Sequence, residues 1–300
     1  MFSHILVPLD GSALAENALP VALYTARIFD AKITLFHVAE KDAPQEIHGQ
    51  RHLANGGEAL SYLEKLARTM PADIVVGWHV HSELTENVAK NIVAHSTELD
   101  HDLIVMCSHG HGFIKDFLIG SIANKVIALG TIPVMLVRPD SAVGQNFPGF
   151  ATILAPHDNT SVHDEALVAA ASFAKKSGKE LVLLSVVPTV ATLHGQGGAV
   201  GRLLPGAANV MLEMEEEGIR EHLKEHLAEL CRDKVEARIL VDRGDPAKKI
   251  AKEAKKIGNC LLVFGTHGKA GMGAFWAGSV TSKVVTLTKT AILLIPIGKS

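Results

Sequence analysis

The sequence predicts an α/β protein made of two repeated, open, parallel five-stranded sheets with helices on both faces. Three observations lead there. Short apolar runs alternate with longer helical stretches along the chain, the pattern of strands joined by crossover helices. The opening Ile5-Leu6-Val7-Pro8-Leu9-Asp10-Gly11-Ser12 returns as Ile153-Leu154-Ala155-Pro156-His157-Asp158-Asn159-Thr160. A glycine motif also returns behind the fourth apolar run of each half: Cys107-Ser108-His109-Gly110, nine residues, Gly120-Ser121, and then Gly265-Thr266-His267-Gly268, nine residues, Gly278-Ser279.

In the first half, strands are expected at Ser3–Leu9, Lys32–Ala39, Asp73–His81, Leu103–Ser108 and Val134–Arg138, with helices near Ser12–Phe29, Gly57–Met70, Leu84–Glu98 and Ser121–Gly130. The second half repeats this with strands at Thr152–Pro156, Glu180–Val187, Val235–Val241, Cys260–Thr266 and Ala291–Pro296. Its helices are expected near Val162–Ser177, Val210–Asp233, Pro246–Ile257 and Ser279–Thr288. Runs such as Leu103 to Met106 and Leu261 to Phe264 are apolar without alternation, as in parallel strands buried on both faces. The last strands are apolar edges, so they are expected to be paired with each other or covered.

The two openings match at an offset of 148 residues and the two glycine motifs at an offset of 158, so the second half holds ten extra residues before its glycine loop. The Gly-rich stretch from His194 to Gly206 accounts for most of them. A turn-rich segment, Pro139 to Gly149, separates the halves. The expected domains are 1–140, with a degenerate glycine motif, and 150–300, with an intact one.

An apolar fraction of 47% is enough for two buried sheets, and a net charge of −3 gives no electrostatic reason to expect nucleic acid or an anionic membrane as partner. No apolar run reaches the length of a membrane span, and Met1-Phe2-Ser3-His4 leads into a strand without a charged signal region. Three scattered cysteines, Cys107, Cys231 and Cys260, argue for a reducing cytoplasm and against a disulfide framework.

Parallel sheets bind ligands at the carboxyl ends of their strands, where Asp10, Asp158 and both glycine loops fall. Glycine there lets backbone approach a phosphate, and the next helix offers unpaired N–H groups. With the Ile-Leu-Val-Pro-x-Asp opening, the His37-Val38 end of strand two and the twice-repeated glycine spacing, the chain resembles the universal stress proteins in their tandem form, over essentially its whole length. The resemblance implies Rossmann-like sheets of order 3-2-1-4-5, association through the last strand and, in one branch, ATP binding; members lacking the glycines do not bind ATP. Carried over by position, Asp158 and Val186 would surround ribose and adenine, and Gly265, His267 and Gly268 would cradle phosphates. Gly278, Ser279 and Val280 at the start of the last helix would complete the anion nest, with Mg²⁺ accompanying ATP. The weaker copy offers Asp10, Val38, Gly110, Gly120 and Ser121. Cys107 stands where its first glycine belongs, which either removes positive φ or adds a Cβ beside the phosphates. The change of Gly11-Ser12 to Asn159-Thr160 and the unusual Gly271-Met272-Gly273 loop depart from the pattern.

No strong catalytic apparatus is evident: Gly268-Lys269-Ala270 lacks the spacing and hydroxyl of a P-loop, and no dinucleotide fingerprint is complete. At most, slow ATP hydrolysis or self-phosphorylation is expected. His79 and His81 share one face of a strand, and zinc there would need further ligands such as His48 or His52; polar or core histidines are the plainer reading. His222 and His226, one helical turn apart, and the lysines from Lys248 to Lys256 read as solvated helix faces. The apolar Val200 to Met214 region reads as a loop covering a groove, a lid over the nucleotide or a docking surface. Two functions follow: an ATP-binding stress-response regulator, homo-oligomeric with its halves as an intrachain pseudo-dimer and two chains able to associate, or a scaffold for an apolar small molecule or partner protein.

Overall fold

The computed structural model describes residues 1–41, 46–47, 50–51, 53, 55–108, 119–129, 131–138, 147–160, 163–187, 189, 205–230, 235–267 and 279–297. The first of two compact units runs β1 (His4–Pro8), α1 (Ala13–Glu16), α2 (Leu19–Phe29), β2 (Lys32–Glu40), the antiparallel pair β3 (Glu46–Ile47) and β4 (Gln50–Arg51), α3 (Gly56–Arg68), β5 (Val76–Thr85), α4 (Val88–Glu98), β6 (Leu103–Cys107), α5 (Ser121–Leu129) and β7 (Val134–Val137). The second runs β8 (Thr152–Pro156), α6 (Asp164–Ser177), β9 (Glu180–Val187), α7 (Pro205–Leu230), β10 (Ala237–Arg243), α8 (Pro246–Ile257), β11 (Cys260–His267) and α9 (Val280–Leu287). The last strand of the chain, β12 (Ala291–Ile297), belongs with the first unit.

Parallel pairing sets the order β5-β2-β1-β6-β7 in the first unit, which is 3-2-1-4-5 when the small β3–β4 pair is left out of the count. The second unit repeats the order through its first four strands, β10-β9-β8-β11. β12 adds to β7 antiparallel, with Ile292 opposite Leu136 and Leu294 opposite Val134. The apolar edge of β7 is thus paired with the other last strand, as its sequence required.

Burial explains the apolar runs. Ile5, Leu6, Val7, Leu103, Ile104 and Val105 are all fully buried, because β1 and β6 are central strands with helices on both faces. Each such side chain contributes about 1.5–3 kcal/mol relative to exposure. The outer strand β5 instead leaves Trp78 and Leu84 exposed.

Three boundaries differ from the sequence expectation. The helix expected over Ser12–Phe29 is broken at Asn17 and Ala18. Pro20 has no N–H for the Glu16 carbonyl and its ring would clash there, so Asn17 and Ala18 turn tightly, donating to Leu14 and Ala15. Leu84 and Thr85, expected to open a helix, carry strand β5 onward, and α4 starts only after Asn87, whose side chain accepts from Lys90 N at 3.1 Å. The helix expected from Val210 starts five residues earlier, at Pro205, so the Val210–Met214 part of the region also read as a covering loop lies within α7. The Gly-rich stretch before it, from His194 to Leu204, lies outside the described residues.

Gly149, just before β8, has φ +88°, and a Cβ there would come within 2.3 Å of the Tyr24 ring. Gly178, ending α6, also has positive φ, but a Cβ there would meet open space. Gly149→Ala is therefore expected to lower stability by about 1–3 kcal/mol more than Gly178→Ala. Urea denaturation midpoints of the two variants check this.

Candidate functional site

In each unit the first strand ends in an aspartate turn at the carboxyl edge of the sheet. In the first, Asp10 Oδ1 accepts from the Ser12 amide at 2.9 Å and the Ser12 hydroxyl at 2.6 Å. Ser12 Oγ then accepts from Ala15 N at 3.1 Å, which caps α1 and ties the turn to the helix. In the second, Asp158 Oδ1 accepts from the Thr160 amide at 3.2 Å and the Thr160 hydroxyl at 2.7 Å. Gly11 sits between the paired residues at φ +88°, and its counterpart Asn159 at φ +61°. Asparagine is among the few side chains that tolerate left-handed backbone, and threonine keeps the serine hydroxyl. The departure noted in the sequence therefore leaves the turn intact.

Residue 163 distinguishes the two turns. His163 Nδ1 donates to Asp158 Oδ1 at 2.8 Å, a contact for which the first repeat has Ala15 and so gives no sequence signal. Burial works to raise the Asp158 pKa, but the hydrogen bonds from His163 and Thr160 outweigh it and hold the carboxyl well below the usual carboxylate range. Asp158 is thus a fixed anion. Its Oδ2 makes no hydrogen bond within the described residues, which leaves a second acceptor on the carboxylate.

Beside Asp158 the backbone repeats as well. Leu9 N donates to Phe36 O at 2.8 Å, and His157 N to Leu184 O at 2.9 Å, pinning the end of each first strand to the second strand. His37 is buried with Nδ1 2.8 Å from Leu9 O. The ring of His157 is also buried; its Nδ1 accepts from Asn159 N at 3.1 Å, and burial lowers its pKa against the pull of Asp158 and Asp164. His157 Nε2 and His226 Nε2 each stand 3.4 Å from an Asp164 oxygen. His226 accordingly turns toward α6, unlike the solvated reading of the sequence, while His222 stays exposed.

Val38 and Val186 occupy matching places near the ends of β2 and β9, opposite His81 and Asp242. The Asp242 carboxyl, which burial would raise, is held down by a 2.7 Å contact from Lys249. Lys249 is thereby withdrawn from the otherwise exposed lysine face of α8. Ser279 caps α9, its hydroxyl accepting from Ser282 N at 3.1 Å, and Val280 is the first helical residue. Gly265 lies in β11, and Gly120 directly precedes α5, which Ser121 opens. Gly110, Gly268 and Gly278 lie outside the described residues, as does the side chain of His267. The structure therefore gathers Asp158, Val186, Gly265, Ser279 and Val280 in one unit, and residues 268–278 between them lie outside the described residues.

Cys107 is buried in β6. Among the described residues only Asp30, Asp100 and Asn159 are non-glycine with positive φ, so loss of positive φ is not what separates Cys107 from Gly265. What remains is a Cβ and a thiol that the second copy lacks.

His79 and His81, weighed for zinc, lie on β5 facing α4. There they meet His95, which sequence reading missed because it comes from another element. His48 and His52 lie outside the described residues. No group of three or more histidine, cysteine or acidic side chains among the described residues stands ready to hold a metal ion. No described helix is long and apolar enough to cross a membrane.

A parallel sheet of order 3-2-1-4-5 and a repeat of its first four strands, each with an aspartate turn at the carboxyl edge, define an α/β protein of the class that takes ligands at that edge. The chain belongs to the universal stress protein family, whose model matches residues 1–138 and again 149–296. A universal stress protein of Mycolicibacterium smegmatis is 28% identical over 301 residues, covering 97% of this chain and 96% of that one. Two solved structures share the fold over 99% of this chain. A universal stress protein from Archaeoglobus fulgidus has a TM-score of 0.66 at 18% identity and is itself 97% covered. A putative universal stress protein from Pseudomonas aeruginosa has a TM-score of 0.68 at 17% identity and is 94% covered.

Proposed function

We propose that this tandem universal stress protein is an ATP-binding stress-response regulator. Its functional domains are 1–140 and 150–300, and the second holds the nucleotide. The observation that carries the reading is the Asp158 turn: an ionised carboxylate at the end of β8, with Oδ1 saturated by Thr160 and His163 and Oδ2 left to accept from a ribose hydroxyl. Val186 supplies an apolar wall for adenine. The intact spacing Gly265, Gly268, Gly278 supplies backbone without side chains for the phosphates. The amide end of α9, capped by Ser279, favours the same negative charge, and Mg²⁺ fills its shell from phosphate and water. A second reading, a docking scaffold, draws on Val210, Met211 and Met214, exposed on one stretch of α7.

Equilibrium dialysis with labelled ATP tests the assignment: the natural chain should bind about one nucleotide, and Cys107→Gly should move this toward about two by removing the one Cβ at which the copies differ. A stoichiometry already at two shows that Cys107 is tolerated. One that stays at one in the variant moves the defect to the His109-Gly110-His111 loop, and none in either protein leaves the scaffold reading.

A further inference from the structure

We propose that His79, His81 and His95 form a binding site for a divalent transition-metal ion, zinc above all, between strand β5 and helix α4. Two of the three ligands already face each other: His81 Nδ1 and His95 Nε2 are 2.9 Å apart. The other nitrogen of His95, Nδ1, lies 3.2 Å from Glu98 Oε2. In the His81–His95 hydrogen bond one ring donates and the other accepts, according to tautomer, so one proton lies between the two nitrogens. The single proton shared between the two rings occupies the place a metal ion would take. Zinc–nitrogen bonds of about 2.0–2.1 Å in a tetrahedral shell put neighbouring ligand atoms about 3.3 Å apart, so the pair has to open by only a few tenths of an ångström.

His79 is the third ligand. It shares the strand face with His81, its ring centroid lies 5.0 Å from that of His95, and it is stacked on Phe36 at 5.7 Å. Rotation of the His79 side chain is to bring its ring nitrogen to the ion. Glu98 then serves as the outer carboxylate that orients a metal-bound imidazole, and Phe36 closes the inner side. All three histidines are half-buried, which leaves solvent access for the ion and a fourth ligand position for water. Imidazole donors select zinc, copper or nickel and not magnesium or calcium, so this site is chemically distinct from any Mg²⁺ that accompanies ATP.

The test is titration of chelator-treated full-length protein with Co²⁺, followed by Zn²⁺, read by the visible absorption of four-coordinate cobalt and by calorimetry. One ion per chain is expected, with Zn²⁺ displacing Co²⁺. His95→Ala and His79→Ala should each weaken binding more than a hundred-fold, and Glu98→Gln, which keeps all three ligands, about ten- to a hundred-fold. The double variant His222→Ala, His226→Ala removes a different close histidine pair, at a centroid distance of 4.6 Å, and should leave binding unchanged. Circular dichroism identifies a misfolded variant, in which case Glu98→Gln and the double variant decide the question. Failure of the natural protein to bind at micromolar metal, binding unaffected by Glu98→Gln and His79→Ala, or loss confined to the double variant would each overturn the proposal.

Discussion

Gly268→Val or Gly278→Val is expected to lower ATP affinity by at least a hundred-fold while leaving the helical content unchanged. Valine is branched at Cβ, so under the proposed reading it adds a side chain where backbone is to meet phosphate, and it confines φ more than glycine does. A hundred-fold loss corresponds to about 2.7 kcal/mol, the scale of two or three lost hydrogen bonds to a charged group. In sequence Gly268 follows β11 and Gly278 precedes Ser279 and α9, so neither substitution falls among the fully buried core residues Leu261, Leu262 and Val263. Titration calorimetry with Mg-ATP reads the affinity. Unchanged binding in both variants would remove the phosphate-cradle assignment.

Acid should destabilise the first unit well above the carboxylate range. His101 is 4% exposed and lies against His4, the two rings tilted by 33° with centroids 3.8 Å apart. Burial, with the neighbouring His4 second, lowers its pKa to about 4 from 6.5. The unfolded chain therefore binds a proton in this interval that the folded chain refuses. Stability is fully present above about pH 6.5 and is lost as pH falls toward 4, by about 3 kcal/mol at one unit per 1.36 kcal/mol. His101→Gln should lose that much less between pH 7 and pH 4 in urea denaturation. Asp158 acts in a different window: its depressed carboxyl contributes stability that disappears only below the ordinary carboxylate pKa near 3.8. Equal slopes for the natural protein and His101→Gln would place the acid sensitivity elsewhere.

The fold was legible because its largest signals are local. Leu103–Val105 and Leu261–Val263 could be read as doubly covered strands because neither face of a central parallel strand needs polar residues. The duplicated opening located Asp10 and Asp158 at strand ends without reference to any contact. Helix boundaries were less legible. Pro20 breaks a pattern that is apolar on both sides of it, and Asn87 competes as a cap with a strand that continues through Leu84. Least legible were the partners that complete each site. His163 reaches Asp158 across a turn, where the other repeat has Ala15, and His95 reaches His81 from a separate helix. Tertiary pairs of this kind leave no period or spacing in one sequence. For Asn159 the sequence overstated the difference, since left-handed backbone accepts asparagine nearly as well as glycine.

The most direct measurement is mass spectrometry of small molecules released by denaturing protein that was purified without added nucleotide. The account predicts adenine nucleotide, chiefly ATP, at close to one per chain, and its loss from protein carrying Gly268→Val. Release of no nucleotide, from protein that also fails to take up Mg-ATP by dialysis, would contradict it and leave the exposed apolar stretch of α7 as the better guide to function.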